Sequence, residues 1–194
     1  MANDIIFIAV SYLLGAVPFG WIYVKLFKNR DIRETGSGNT GATNVYRLCG
    51  LAPAVFVFAM DFLKGFLPVS FYGSSLYLKI LIGFSVVLGH NFSVFLHGRG
   101  GKGVASGAGV AFALAPGPVL ISAAVFGIFF AASRIISLSS LAATAAFVAC
   151  SAALRADREI IILSVVLALF IFFSHRKNIL RLLKKEEKRL TKIE

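Results

Sequence analysis

The chain has 194 residues, of which 58% are hydrophobic and 15% are charged. A soluble domain usually has about 45–50% apolar and about 25% charged residues, so the composition indicates an integral membrane protein. It excludes a soluble enzyme, a disordered chain and a collagen-like fibre. The formal net charge is +11. In a soluble protein that charge would suggest nucleic-acid binding, but in a membrane protein basic residues gather in cytoplasmic loops.

Apolar segments recur along the chain and are separated by polar or basic ones. A transmembrane helix needs about 20 apolar residues, because the hydrocarbon core is about 30 Å thick. Gly15, Pro18 and Gly20 predict a kink in the first segment. We predict an all-α polytopic membrane protein with about seven transmembrane helices in one domain, residues 1–194; five spans are the alternative, and the second segment could be re-entrant. The predicted segments are 5–24, 51–72, 78–96, 104–115, 119–133, 135–154 and 160–174.

The distribution of basic residues predicts how the chain lies in the membrane. If the N-terminus is outside and the segments alternate, sixteen of the twenty Lys and Arg residues fall on the cytoplasmic side and three on the outer side. This asymmetry predicts an outer N-terminus and a cytoplasmic C-terminus. The eight basic residues that follow residue 174 would also lie near anionic lipid headgroups. Topology therefore explains most of the net charge, and no nucleic-acid partner is predicted.

A glycine-rich polar loop follows the first predicted helix. It reads GSGNTGATN from Gly36 to Asn44, and Arg47 comes three residues later. Glycine lets backbone N–H groups approach an anionic ligand, and arginine can bind phosphate through two parallel hydrogen bonds. We interpret the loop as a phosphate-binding site; the alternative is a flexible loop with a helix cap at Thr43 or Asn44. The residues assigned to it are Gly36, Ser37, Gly38, Asn39, Thr43, Asn44 and Arg47.

A second glycine-rich loop, GRGGKG, runs from Gly98 to Gly103 directly before an apolar segment. Glycines, two cations and a helix N-terminus together favour an anion. The loop is not a nucleotide P-loop, because Leu96 and Gly103 stand where that motif needs Gly and Ser or Thr. The alternative is an ordinary basic cytoplasmic loop with turn glycines. The residues assigned to this site are Gly100, Gly101, Lys102 and Gly103.

His175 and Asn178 end the last apolar segment and are spaced to share one helical face. His175 could act as a general base or bind phosphate, or it could simply be a polar residue at the membrane interface. All three polar clusters lie on the predicted cytoplasmic side. Arg134, Ser137 and Ser139 form a smaller polar patch on that side. The convergence suggests a site for two phosphorylated ligands.

The remaining ionisable residues predict structure rather than a second reaction centre. Asp61 and Lys64 are three residues apart and predict an intramembrane ion pair. His90 is expected to be a hydrogen-bonded polar residue at a helix end. No His, Cys, Asp or Glu residues have metal-ligand spacing, so no metal site is predicted. A covalent nucleophile is not expected either, because the chain has no Gly-x-Ser-x-Gly elbow.

Several spaced motifs together resemble the bacterial membrane acyl-phosphate:glycerol-3-phosphate acyltransferases, the PlsY family. The resemblance covers nearly the whole chain. It is carried by residues 36–44 with Arg47, by Asp61-Phe-Leu-Lys-Gly65, by Gly100-Gly-Lys-Gly103, by Arg134-Ile-Ile-Ser-Leu138, and by His175 with Asn178. Three positions depart from the family pattern: Ser93 replaces a usual Pro, Arg99 a common Lys, and Lys177 an often acidic residue.

The resemblance implies a seven-helix enzyme of the bacterial inner membrane with its site at the cytoplasmic face. It would transfer a fatty acyl group from acyl phosphate to the sn-1 hydroxyl of glycerol 3-phosphate, giving lysophosphatidic acid and phosphate in the first step of phospholipid synthesis. Acyl phosphate would be a co-substrate, and no cofactor is expected. The catalytic residues that would hold glycerol 3-phosphate are Ser37, Arg47, Lys102, His175 and Asn178.

The same resemblance implies the partners. They are the two substrates, membrane lipids and a functional link to the enzyme that supplies acyl phosphate. The glycine loops would also hold the acyl phosphate. Two other functions remain open on the residues alone, namely a transporter of phosphorylated small molecules and a lipid-binding scaffold. The chain has no internal repeat of the kind common in secondary transporters, and its polar clusters lie on one side, which argues against transport.

Overall fold

The structure is a computed structural model that describes residues 2–72 and 75–190. Two single-turn 3₁₀ helices, Ile32–Glu34 and Val94–Leu96, are present, and all other regular structure in the described ranges is α-helical. The α-helices are α1 Ala2–Ala16, α2 Phe19–Lys28, α3 Ala42–Cys49, α4 Leu51–Phe71, α5 Leu76–Asn91, α6 Val104–Leu114, α7 Pro116–Ser133, α8 Ile136–Ala153, α9 Arg158–Ser174 and α10 Arg176–Leu183.

The predicted all-helical membrane architecture is confirmed. Within the described ranges, five helical stretches are long and apolar enough to cross a membrane, and α9 with α10 makes a sixth if this pair, bent by 66°, counts as one span. The predicted segment 104–115 forms α6, whose 11 residues are short for a span. The exact number of spans and the orientation of the termini stay predictions. The five stretches are Asn3–Lys28, Leu51–Phe71, Leu76–Leu96, Pro116–Ser133 and Ile136–Ala153.

The predicted kink in the first segment is a break between α1 and α2. Pro18 lies at this break. Proline interrupts a helix because it lacks an N–H group and because its ring clashes with the preceding turn. Side chains supply hydrogen bonds to the carbonyl groups at the break. The Ser93 hydroxyl donates to the Ala16 carbonyl at 2.6 Å, and the Lys64 ammonium donates to the Val17 carbonyl at 2.9 Å. Backbone groups inside a bilayer need such partners, and here they come from α4 and the segment after α5.

The chain divides into two compact units, and the boundary falls within α6. The first unit contains the described residues up to Val110, and in it α1 packs on α5 while α4 contacts α2, α3 and α5. Glycines allow α1 and α5 to approach closely. A Cβ atom at Gly15 would lie 2.2 Å from the Val86 carbonyl oxygen, and one at Gly89 would lie 2.1 Å from the Tyr12 carbonyl oxygen. Small residues at such crossings are how membrane helices pack backbone against backbone.

The second unit spans Ala111–Leu190. In it α7 packs on α8, α8 packs on α9, and α10 follows α9 after the sharp bend. Arg134 ends α7 in the left-handed conformation, with φ of 58°. Its carbonyl oxygen accepts a hydrogen bond of 2.8 Å from the Leu190 backbone N–H. The end of the described chain is thereby tied to the α7–α8 connection.

Candidate active site

A salt bridge anchors the start of the first polar loop. The Arg33 guanidinium donates to both carboxylate oxygens of Asp31, at 3.0 Å from Nε to Oδ1 and 2.6 Å from Nη2 to Oδ2. The Arg33 backbone N–H also donates to this carboxylate at 2.9 Å, so Asp31 caps the short helix Ile32–Glu34. The bonds from Arg33 hold the pKa of Asp31 well below its usual range. Arg33 therefore has its charge matched within the loop.

Asn44, 1% exposed, organises the rest of this loop from the first turn of α3. Its amide oxygen accepts a hydrogen bond from the Ser37 backbone N–H at 3.0 Å. Its amide nitrogen lies 3.0–3.1 Å from the carbonyl oxygens of Ile32, Thr35 and Asn39. One buried side chain thus contacts four backbone groups, and its two amide hydrogens are shared among the three carbonyl oxygens. Asn44 was predicted from the sequence to bind the ligand, whereas in the structure its side chain bonds to the backbone of its own loop.

The exposed part of the loop is its tip. Gly36 and Gly38 have φ of 63° and 69°, a conformation that glycine adopts without steric cost, and Ser37 lies exposed between them. Asn39 accepts a hydrogen bond from the Gly41 N–H at 2.9 Å and so braces the turn before α3. Two further candidates, Thr43 and Arg47, are half-buried and one helical turn apart on α3, so they share a face.

The second glycine loop packs on the end of α5. The Gly100 and Gly101 N–H groups donate to the carbonyl oxygens of Asn91 and His90, at 3.0 and 2.9 Å. A Cβ atom at Gly101 would lie 1.9 Å from the His90 ring nitrogen Nε2. The N–H groups of two glycines that were predicted to bind a ligand are therefore bonded to α5. The glycines bring the loop against this helix, and the half-buried Lys102 follows directly.

A buried charged cluster lies beneath this glycine loop. The predicted ion pair is confirmed, with 2.7 Å between Lys64 Nζ and Asp61 Oδ1, and His90 Nδ1 lies 3.5 Å from the same oxygen. All three side chains are almost fully buried. The Lys64 ammonium also donates to the Val17 carbonyl oxygen at the break between α1 and α2. The cluster therefore connects the α1–α2 break to the loop that carries Lys102, a connection with no signal in residue spacing.

In the second unit, His175 lies at the bend between α9 and α10 and is 3% exposed. Its Nδ1 lies 2.9 Å from the Ile171 carbonyl oxygen. A carbonyl oxygen can only accept, so Nδ1 carries the proton in this bond. In the neutral imidazole the lone pair is then on Nε2. This tautomer suits a proton acceptor that acts through Nε2.

Asn178, in the first turn of α10, is held by a carboxylate from the chain beyond that helix. Its amide nitrogen donates to Glu187 Oε1 at 2.5 Å. The Ser137 hydroxyl donates to the same oxygen at 2.7 Å, and Arg181 Nε donates to Oε2 at 2.6 Å. Burial would raise the pKa of Glu187, but the hydrogen bonds from Arg181, Ser137 and Asn178 outweigh it, so the pKa lies below its ordinary value. Glu187 was not among the residues predicted from the sequence, where its one distinguishing feature is a carboxylate within a basic tail.

The candidate residues fall into two groups. Ser37, Arg47 and Lys102 belong to the first unit, and His175 and Asn178 belong to the second. Two of the five are cationic side chains able to neutralise phosphate oxygens. Among the described residues, no three His, Cys, Asp or Glu side chains are arranged to hold a metal ion. The functional groups suit the binding of anions and the transfer of a proton.

The fold is that of a polytopic helical membrane protein, and the candidate residues are of types that suit the binding of anions. A family model described as glycerol-3-phosphate acyltransferase matches residues 5–185. Glycerol-3-phosphate acyltransferases of Endomicrobium trichonymphae and Aquifex aeolicus (strain VF5) are each 40% identical to the chain. The alignments cover 98% of the chain and 97% of the first relative, and 92% of the chain and 95% of the second.

Solved structures agree with the sequence relatives. The crystal structure of PlsY (YgiH), an integral membrane glycerol 3-phosphate acyltransferase, in its glycerol 3-phosphate form has a TM-score of 0.92 and 37% identity, over 97% of this chain and 96% of that one. Its lysophosphatidic acid form has a TM-score of 0.89 and 36% identity, over 96% and 95% of the two chains. The chain belongs to the glycerol-3-phosphate acyltransferase family and is a membrane acyltransferase.

Proposed function

We propose that the chain transfers a fatty acyl group from acyl phosphate to the sn-1 hydroxyl of glycerol 3-phosphate. The products are 1-acyl-glycerol 3-phosphate, that is lysophosphatidic acid, and inorganic phosphate. The observation that carries the proposal is the near full-length similarity to PlsY in its glycerol 3-phosphate and lysophosphatidic acid forms. The acyl-phosphate donor is supported by chemistry: the described residues offer cations and a histidine, which suit a donor that is already activated.

In the proposed reaction the sn-1 oxygen attacks the acyl carbonyl carbon. The new ester C–O bond forms, the C–O bond to phosphate breaks, and phosphate leaves with the bonding electrons. The hydroxyl proton passes to a phosphate oxygen of a substrate, directly or through His175 Nε2. The Nδ1–H bond to Ile171 supports the second route, because it leaves the Nε2 lone pair as the basic site. No covalent enzyme intermediate is required.

Arg47 and Lys102 are proposed to neutralise the phosphate groups of the two substrates, which would otherwise repel each other. Ser37, at the exposed tip of its loop, and Asn178 are proposed to hold glycerol 3-phosphate by hydrogen bonds. An acyl phosphate is a mixed anhydride with a good leaving group, so positioning and charge neutralisation can supply most of the acceleration. Asn44 is assigned to positioning, because its amide is bonded within the loop.

We also propose that the protein lies in the bacterial inner membrane with this site at the cytoplasmic face, and that residues 1–194 act as one functional domain. The excess of basic residues on the side that carries both glycine loops and the tail supports the orientation. The substrates are charged and are expected in the cytoplasm, where the proposed link to the enzyme supplying acyl phosphate would operate.

The test uses purified full-length protein in detergent with palmitoyl phosphate and radiolabelled glycerol 3-phosphate. Label in lipid and free phosphate are measured together, and acyl-CoA and acyl-carrier protein replace palmitoyl phosphate in parallel reactions. Equal amounts of labelled lipid and phosphate with palmitoyl phosphate alone are expected. Turnover with either other donor instead would overturn the proposed donor. Phosphate release without labelled lipid would overturn the proposed transfer to glycerol 3-phosphate.

A further inference from the structure

The chain turns back after α10 and forms a strap, defined here as residues 184–190. Lys185 has φ of 58°, a left-handed conformation that reverses the chain direction. The N–H groups of Lys185 and Glu186 donate to the Leu182 and Arg181 carbonyl oxygens, at 3.0 and 2.7 Å. At its far end, Leu190 is bonded to the Arg134 carbonyl. The strap thus connects the end of α10 to the start of α8, although its own sequence is mostly basic and exposed.

Glu187 is the inward-facing residue of this strap. Its side chain is only 7% exposed, while the adjacent Glu186 is exposed. Both of its oxygens accept hydrogen bonds, from Ser137 and Asn178 at Oε1 and from Arg181 at Oε2. A carboxylate in such a place is stable only when its charge is matched and its lone pairs are bonded. Three donors from two different helices provide both conditions.

The chemistry of this contact controls how Asn178 is oriented. A carboxylate can only accept hydrogen bonds, so the amide nitrogen of Asn178 must face Glu187. The flipped amide would bring two oxygens together and lose a charge-assisted bond. The carboxylate therefore selects one of the two orientations of the Asn178 amide. It does so close to His175, which lies three residues before Asn178.

We propose that Glu187 is a positioning residue for acyl transfer, acting through Asn178 with Arg181 as its counter-ion and Ser137 as its anchor on α8. This proposal rests on the proposed function, in which Asn178 holds glycerol 3-phosphate. Glu187 itself touches no substrate in this scheme. Its removal takes away the charge-assisted bond that selects this amide orientation, and it breaks the bond between the strap and Ser137 on α8.

The first arm of the test compares Glu187→Ala with Glu186→Ala, the exposed neighbour on the same strap. We expect kcat/KM for glycerol 3-phosphate to fall roughly tenfold or more in Glu187→Ala, the scale of one lost charge-assisted hydrogen bond. Glu186→Ala should stay within about twofold of the wild type, and Glu187→Gln, which keeps an acceptor oxygen, should recover part of the loss. Size-exclusion profiles and melting temperatures are measured for each variant, so that activity is compared only among folded proteins. Equal activity of the two alanine variants would overturn the proposal.

The second arm separates positioning from a general loss of structure by a double-mutant cycle with Asn178→Ala. If Glu187 acts through Asn178, Glu187→Ala should cost little more than twofold in the Asn178→Ala background. The same roughly tenfold loss in both backgrounds would overturn the proposal. Incorporation of radiolabelled glycerol 3-phosphate is followed for hours, so that slow variants are still measured.

The third arm does not depend on turnover. Trypsin cuts after lysine and arginine, so the rate of cleavage within the strap measures how readily the strap detaches. The sites are Lys184, Lys185, Lys188 and Arg189. Glu187→Ala should be cut several-fold faster than Glu186→Ala at these sites. Equal rates would overturn the proposal whatever the activity of the wild type. A wild type without transfer activity would overturn the proposed function, while this arm would still decide whether Glu187 holds the strap.

Discussion

The first polar loop and the C-terminal strap are ordered in opposite ways. The loop is held by a neutral amide, because Asn44 bonds to backbone groups 5 to 12 residues away in the chain. The strap is held by an ion, because Glu187 bonds to Arg181 nearby and to Ser137, 50 residues away. A local amide network forms with its own segment and does not titrate. A carboxylate that bridges distant helices depends on the packing of those helices and on pH.

The largest effect should come from removing the amide of the first loop. Asn44→Ala leaves three carbonyls and one N–H of a partly buried loop without this partner, and each such group costs about 1–3 kcal/mol where it is shielded from water. We expect at least about 3 kcal/mol lower stability and near-complete loss of transfer activity. Melting in detergent and radiolabel incorporation measure both.

Asn39→Ala is the matched control, because the Asn39 side chain accepts one hydrogen bond in the same loop, from the Gly41 N–H. It should lower stability by only about 1 kcal/mol. If Asn44→Ala were no more damaging than Asn39→Ala, the loop would not depend on the amide network, and the contrast with the strap would be lost.

A smaller effect is expected where the second glycine loop meets α5. Gly101→Ala would place a methyl group 1.9 Å from the His90 ring, so the ring or the loop must move. Overpacking of this kind costs about 1–3 kcal/mol. We expect lower stability and a higher KM for glycerol 3-phosphate, because the displaced loop carries Lys102.

The control in the same loop is Gly98→Ala, where a Cβ atom meets nothing within 4 Å but φ is +77°. It should cost only the local backbone strain, about 1 kcal/mol. A KM that rises equally in both variants would show that contact with His90 does not position Lys102.

The pH dependence should separate the strap from the loop. The pKa of Glu187 is lower in the folded protein than its ordinary value, so its stabilising contribution is complete above that ordinary value, 4.5. The contribution is lost as the pH falls through the lower folded pKa. The difference in melting temperature between wild type and Glu187→Gln should therefore be constant near neutrality and shrink below about pH 4.5.

The comparison for that experiment is Asp31→Asn in the first loop. Arg33 lowers the pKa of Asp31 in the same direction and more strongly, so its contribution should persist to lower pH than that of Glu187. If the difference in melting temperature between wild type and Glu187→Gln did not change with pH, the strap would not depend on the charge of the carboxylate.

The smallest effect is expected at the helix break. Ser93→Ala removes a buried hydrogen bond to the Ala16 carbonyl, which we expect to cost about 1 kcal/mol and a few degrees in melting temperature. Thr144→Ala, which removes a hydroxyl bonded to its own helix at the Ser140 carbonyl, serves as control and should change little. An equal shift in both variants would contradict a special role for Ser93.

Much of the architecture was predictable because hydrophobic length and charge asymmetry are local properties. The helices, the break at Pro18 and the pair of Asp61 with Lys64 all follow from residues within one or two turns of each other. The candidate cations, Arg47 and Lys102, were identified by residue type and by glycine neighbours. The role of the glycines next to Lys102 was only partly predicted. Their N–H groups were expected to face a ligand, but those of Gly100 and Gly101 donate to carbonyl oxygens at the end of α5.

The sequence by itself determined that this protein is a helical membrane protein and which family it resembles, and it singled out the polar residues that are candidates for binding phosphate. These properties depend on composition, periodicity and short motifs. Only the tertiary structure decided that Asn44 serves its own loop, that His90 supports the Lys102 loop, and that Glu187 orients Asn178. Hydrogen bonds between distant segments leave no periodic trace, because their partners are brought together by helix packing rather than by spacing along the chain.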